Sequence, residues 1–227
     1  MVTQAVVIDA VKVDCILFDL DGTLLDTAPD FVHILNSMRK EQHLPALDPQ
    51  IIRDTVSGGA RKMVGLAFGG QQGEPKFDKN LATFLERYHE QIINLTSHSQ
   101  LFDGMDTLLH TLENKNVAWG IVTNKPERFS TPLMTQLNLK PQVLICPDHV
   151  NEAKPSPEPL LLACEKLNKK PATSIYVGDH KRDIDSAIAA NMKSVVANWG
   201  YFSEENPKEA WQADWLAQTP SDILNFI

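Results

Sequence analysis

Cys15-Ile16-Leu17-Phe18-Asp19-Leu20-Asp21-Gly22-Thr23 decides how this chain is read. Four residues with strand character run into two carboxylates one residue apart, and a glycine follows. Side chains alternate along a strand, so Asp19 and Asp21 would share a face if the strand continued. Like charges that close repel unless a cation or a shared proton relieves them. A divalent metal is the expected relief. Taken alone, Asp-x-Asp-Gly is equally a strand running into an acidic turn. A calcium loop is excluded, because it needs Gly at its sixth position and Glu at its twelfth, and counting from Asp19 these hold Leu24 and Asp30.

Downstream of residue 117, short β-branched or apolar runs alternate with helical patterns, the mark of βαβ units and a parallel sheet. Strands are expected at 117–122, 143–146, 174–177, 194–197 and 215–217, with 15–18 supplied from far upstream. Helices are expected at 105–114, 126–137, 157–167, 183–191 and 221–226. Residues 27–97 carry no convincing strand. Phe31, Ile34, Leu35 and Met38 form one helical stripe, Asp48-Pro49 opens a second helix, and Phe77, Leu81, Phe84, Leu85, Tyr88 and Ile92 form a third. Gly69 to Gly73 marks a turn between helices. The expected fold is therefore α/β, a doubly wound parallel-sheet, Rossmann-like core from 12–27 and 98–227, interrupted by a helical module at 28–97.

The chain has 227 residues, 43% of them hydrophobic, enough for a sizeable core. A net charge of -8 without a Lys/Arg cluster argues against nucleic acid or an anionic membrane as the main partner. An anionic substrate must then be attracted locally. Cys15, Cys146 and Cys164 are odd in number, lack metal-ligand spacing and lie in apolar contexts, as buried free thiols do in a reducing cytoplasm. Residues 1–10 lack the basic start and long apolar run of a secretion signal, and no later run approaches membrane-spanning length. A cytoplasmic protein, monomer or homodimer, is expected.

Open parallel sheets bind ligands outside the carboxyl ends of their strands. The polar residues of the α/β half fall there: Asp19 and Asp21, then Thr123-Asn124-Lys125, then Lys154-Pro155, then Asp179 and Asp183. Singly, each has an ordinary explanation. Thr123 could cap the helix that follows, Lys154 could be a solvated loop charge, and Asp179 with Asp183 could be a turn and a helix-start charge. Together, at the ends of neighbouring strands, they describe one crevice.

Asp-Leu-Asp-Gly-Thr at 19–23, Val-Thr-Asn at 122–124, Ala-Lys-Pro at 153–155, and Val-Gly-Asp at 177–179 with a second Asp four residues on, resemble the four ordered motifs of the haloacid dehalogenase-like hydrolases. The helical insert resembles their first type of cap. The resemblance implies that Asp19 is a nucleophile and Asp21 a general acid/base. It makes Thr123 a phosphate ligand, with Asn124 beside it, and Lys154 the charge that steadies nucleophile and phosphate. Asp19, the main-chain carbonyl of Asp21, and Asp179 would hold Mg²⁺, with Asp183 behind them.

These roles make physical sense. A carboxylate approaching a phosphate dianion meets repulsion of roughly 4 kcal/mol per charge pair at about 4 Å and an effective dielectric near 20. Mg²⁺ and Lys154 would offset it, and an all-oxygen donor set suits Mg²⁺ rather than zinc. An acid at position 21 also argues against dehalogenation, because halide leaves without a proton.

Within the insert, Ser57-Gly58-Gly59-Ala60-Arg61-Lys62 suggests anion binding. Gly58 and Gly59 allow close backbone approach, and Arg61 is expected to grip a substrate carboxylate. The plain alternative is an interhelical turn with surface cations. Leu-Asp-Thr-Ala-Pro-Asp-Phe at 25–31, Phe-Leu-Glu-Arg-Tyr at 84–88, Trp-Gly-Ile-Val-Thr-Asn-Lys-Pro-Glu-Arg-Phe at 119–129 and Lys-Pro-Ser-Pro-Glu-Pro-Leu at 154–160 further resemble the proteobacterial N-acetylmuramic acid 6-phosphate phosphatases. That resemblance implies a small carboxylate-bearing phosphate ester as substrate and a place in peptidoglycan recycling. Phosphoglycolate phosphatase is the nearest alternative, followed by a sugar phosphomutase and a non-hydrolytic phospho-aspartate switch. His180 departs from the usual pattern, which has a small or acidic residue after Asp179; its imidazole is expected to face solvent.

Overall fold

The structure is a computed structural model describing residues 13–202 and 208–227. Residues 1–12, which include the first position expected for the core and the stretch expected to carry no secretion signal, lie outside the described residues.

β1 (Cys15–Phe18) is buried throughout and lies inside a six-stranded sheet of order β5-β4-β1-β6-β7-β8. The other strands are β4 (Ala118–Val122), β5 (Leu144–Ile145), β6 (Ser174–Gly178), β7 (Lys193–Ala197) and β8 (Trp215–Ala217), and every neighbouring pair is parallel. A sheet covered on both faces needs strands that are apolar on both faces, and β1, β4 and β6 are buried at every position. Ile16 and Phe18 enter one core cluster and Cys15 and Leu17 the other, as the two-residue period of a strand requires.

The helices of this half are α5 (Met105–Asn114), α6 (Glu127–Gln136), α7 (Glu158–Leu167) and α8 (Lys181–Ala189). The last begins two residues before the expected 183, because His180 caps it. His180 Nδ1 accepts from the Arg182 N–H at 3.2 Å, and the Asp183 carboxylate accepts from the His180 N–H at 3.0 Å. The segment expected as a final helix at 221–226 is instead a 3₁₀ stretch, Pro220–Phe226.

Between β1 and α5 stand α1 (Ala28–Glu41), α2 (Pro49–Arg53), α3 (Gly59–Phe68) and α4 (Pro75–Ile93). The fold is thus a doubly wound α/β core carrying an inserted helical cap. Phe31 packs on Tyr88 with ring centroids 4.8 Å apart, and Tyr88 on Phe129 of α6 at 5.5 Å, so the stripe seen in the sequence seats the cap on the core. The two connecting strands of chain pair as a short antiparallel ribbon, β2 (Leu25–Asp26) with β3 (Gln100–Leu101). Two residues are too few to leave a periodic signal, and this ribbon was not expected. Buried Asp30 reinforces the connection, accepting from Gln91 Nε2 at 2.7 Å and from Ser97 Oγ, the His98 N–H and Ser99 Oγ at 2.5 Å. No helix among the described residues is long and apolar enough to cross a membrane.

The strand order turns at β1, from which the chain proceeds outward on both sides. Such a reversal opens a crevice at the carboxyl ends. Phe18 is level with Ile121 and with Val177, so the residues just past those strand ends meet there.

Candidate active site

Asp19 follows β1 directly, and its N–H donates to the Val177 carbonyl at 2.9 Å. Its Oδ1 is 2.9 Å from Lys154 Nζ. That ammonium is buried and also meets Asp183 Oδ1 at 2.7 Å, Tyr176 Oη at 2.6 Å and the Val122 carbonyl at 3.0 Å. Burial opposes a charged lysine, but Asp183 and Asp19 outweigh it and hold the ammonium above its ordinary pKa. Asn124 fastens Lys154 from the main chain: its Nδ2 donates to the Lys154 carbonyl at 2.9 Å, and its Oδ1 accepts from the Lys154 N–H at 3.1 Å. Asn124, expected beside the phosphate, is found holding the lysine's main chain in place.

Asp19, Asp179 and Asp183 each present a carboxylate oxygen within 4.8 Å of the others. Burial, then the charges of Asp19 and Asp183, push Asp179 well above the usual carboxylate range despite bonds from the Tyr201 N–H at 2.8 Å and Thr23 Oγ1 at 3.1 Å. Burial likewise raises Asp19. One lysine does not neutralise three carboxylates. The donors are hard oxygens, and the backbone closes tightly round Asp179: a Cβ on Gly22 would fall 2.2 Å from Asp179 Oδ2, and one on Gly200 2.2 Å from Asp179 Cβ. This arrangement fits a small divalent cation.

The Asp21 carboxylate is not part of that cluster. The strand does not continue past Asp19; Gly22 takes φ +83°, and Asp21 Oδ1 accepts instead from Thr27 Oγ1 at 2.6 Å and Lys125 Nζ at 2.8 Å. Lys125, which sequence reasoning named only as the end of Thr-Asn-Lys, lies 4.7 Å from the Tyr88 ring centroid and 5.3 Å from that of Phe31. Burial works against its charge, but Asp21 and Tyr88 hold its pKa up. Nothing local in the sequence marks this lysine, because its partners come from β1's end, α1 and α4.

Thr123 is 3% exposed and does not cap α6, whose N-cap is Pro126. It lines a cavity of about 180 Å³ together with Asp19, Asp21, Asn124 and Lys125. The cap closes this cavity with an apolar wall that includes Phe31, Val56, Met63, Phe84 and Tyr88, continued by Phe129 of α6. Gly59 lines it; Gly58 borders a smaller neighbouring cleft beside Asp179.

Arg61 lines neither space and is exposed. α3 buries Met63, Val64 and Ala67, and a residue two positions before Met63 falls on the opposite side of the helix. The clamp expected at Arg61 is therefore absent from the cavity. His180, expected to face solvent, instead lines it with Arg182. Burial first, and Arg182 next, hold the His180 imidazole down at about 4, so it is neutral at pH 7.

A family model described as haloacid dehalogenase-like hydrolase matches residues 16–197. An N-acetylmuramic acid 6-phosphate phosphatase of Pseudomonas putida is 45% identical over 218 residues, covering 95% of this chain and 96% of the relative. A phosphoglycolate phosphatase of Xanthomonas campestris is 40% identical over 210 residues, covering 92% and 93%. Among solved structures, one described as a predicted phosphoglycolate phosphatase from Haemophilus somnus superposes with a TM-score of 0.81 at 26% identity, covering 94% of this chain and 97% of that one. With the carboxylates, lysine and threonine of four strand ends gathered under a helical cap, the chain belongs to the haloacid dehalogenase-like hydrolases.

Proposed function

We propose that this phosphatase hydrolyses N-acetylmuramic acid 6-phosphate through an aspartyl-phosphate on Asp19. The observation that carries the substrate is the cavity itself, a charged floor facing a broad apolar wall. A two-carbon acid has no apolar body to meet Phe31, Met63, Phe84 and Tyr88, whereas a pyranose with acetyl and lactyl methyl groups does. The name carried by the Pseudomonas putida relative supports the same substrate. Phosphoglycolate remains the second reading, supported by the name of the Xanthomonas campestris relative.

In this mechanism an Asp19 oxygen bonds to phosphorus while the bond to the sugar oxygen breaks, and Asp21 gives that oxygen its proton. Water then attacks phosphorus, passes a proton to Asp21 and frees Asp19 and inorganic phosphate. Lys154 balances charge on Asp19, and Thr123 holds a phosphate oxygen. Mg²⁺, held by Asp19, Asp179 and the Asp21 carbonyl with Asp183 behind them, would neutralise the phosphate's charge when bound. Residues 28–97 serve as the cap, excluding water from the acyl phosphate. A cytoplasmic location accompanies this activity, in keeping with three buried free thiols.

The test is kcat/KM measured side by side with Mg²⁺ on N-acetylmuramic acid 6-phosphate, 2-phosphoglycolate and hexose phosphates. The first is expected to be the best substrate, with stoichiometric release of inorganic phosphate. Efficient turnover of 2-phosphoglycolate with poor turnover of the first transfers the assignment to the second reading. Return of the phosphoryl group to a sugar would mark a mutase.

A further inference from the structure

We infer that Arg182 is the side chain that grips the substrate's carboxylate, a role that rests on the carboxylate-bearing ester proposed above. Two cationic side chains line the cavity, Lys125 and Arg182. Lys125 is already paired with Asp21 and lies against two aromatic rings. Arg182 has no carboxylate within ion-pair distance among the described residues, whereas Arg53 and Arg87 are paired with Asp26 and Glu41. The cavity's own carboxylates, Asp19 and Asp21, are paired with Lys154 and Lys125, so this half-buried guanidinium has no counter-charge unless a ligand supplies one.

The position is also suited to measuring a substrate. Arg182 lies in the first turn of α8, between the cap His180 and Asp183, whose carboxylate touches Lys154. Its main chain is thus keyed to the phosphate end of the site. Its Nη2 donates to the Ser57 carbonyl of the cap segment, which fixes the plane of the guanidinium. The remaining N–H groups include an edge able to meet a carboxylate with two parallel hydrogen bonds. An ester anchored at Asp19 would therefore be read at its other end by Arg182. A sugar phosphate without the acid would leave the guanidinium unpaired.

The experiment compares N-acetylmuramic acid 6-phosphate with N-acetylglucosamine 6-phosphate, which lacks only the lactyl ether and its carboxylate. For Arg182→Met, the ratio of kcat/KM between the two is expected to fall about 30-fold or more, chiefly through KM for the acid. Arg182→Lys should recover part of the ratio, and Arg61→Ala should leave it near wild type. Because both esters are assayed on one preparation, incomplete folding cancels from the ratio. An unchanged ratio, including an equal loss on both esters through a loosened Ser57 contact, overturns the inference. If wild-type protein fails to turn over N-acetylmuramic acid 6-phosphate, the substrate assignment fails separately. The same ratio is then taken between 2-phosphoglycolate and p-nitrophenyl phosphate: a fall in Arg182→Met supports the carboxylate grip, and no fall removes it.

Discussion

Lys125 Nζ lies 2.8 Å from Asp21 Oδ1, across 104 positions of sequence, and the same ammonium stands over the Tyr88 ring of the cap. One cation therefore joins the carboxylate proposed for proton transfer to the helix that roofs the cavity.

Lys125→Met removes the partner that orients Asp21. General acid catalysis contributes about 10²–10⁴-fold, and a misplaced acid forfeits much of it. We expect kcat on a sugar phosphate to fall by about 100-fold, with a smaller loss on p-nitrophenyl phosphate, whose leaving group departs without a proton. Equal losses on both would remove the positioning role.

Magnesium should stabilise the fold in a pH-dependent way. Burial first raises the folded-state pKa values of both Asp19 and Asp179, helped by the charges of Asp183 and Asp21 at Asp19, where Lys154 opposes it, and of Asp19 and Asp183 at Asp179, so without metal the unfolded chain ionises first as pH rises. Their destabilising effect is absent below the unfolded carboxylate range near 3.8 and grows as pH climbs through and above it. Urea midpoints in EDTA are expected to drop between pH 5 and pH 8 relative to midpoints in Mg²⁺. A magnesium effect independent of pH would contradict this.

Gly200→Ala should weaken metal binding without touching a ligand atom directly. The added Cβ would lie 2.2 Å from Asp179 Cβ and 2.5 Å from the Gly22 carbonyl oxygen, so Asp179 must move. The Mg²⁺ concentration for half-maximal activity is expected to rise by about tenfold or more, since disturbing the support of a metal ligand typically costs that much. An unchanged Mg²⁺ dependence would show that the loop absorbs the methyl group.

Asp30→Ala tests the tie between cap and core. Four donors, from Gln91, Ser97, His98 and Ser99, lose their acceptor, three of them where α4 returns to the sheet. Leaving buried donors unmatched costs about 1–3 kcal/mol each where water cannot enter, and relaxation will recover part of the sum. A loss of at least about 2 kcal/mol in urea unfolding is expected. A change below about 0.5 kcal/mol would mean that water replaces the carboxylate at no cost.

Much of the fold could be read along the chain because strands buried on both faces leave continuous apolar runs and helices leave a 3.6-residue stripe. β1 was expected at its observed limits, and the 77–92 stripe marks the buried side of α4. The β2–β3 ribbon left no such trace, and α8 began early because a histidine cap lies outside the usual capping residues.

The sequence by itself determined that Asp19, Thr123, Lys154 and Asp179 would meet, since each follows a strand of one parallel sheet and parallel register brings such ends together. Only the tertiary structure decided which cation faces which anion: Lys125 toward Asp21, Asn124 onto Lys154, Arg182 into the cavity and Arg61 away from it. Periodicity records which side of its own element a residue occupies. It carries no information about partners more than a hundred positions away, whose approach depends on how the cap is seated upon the sheet.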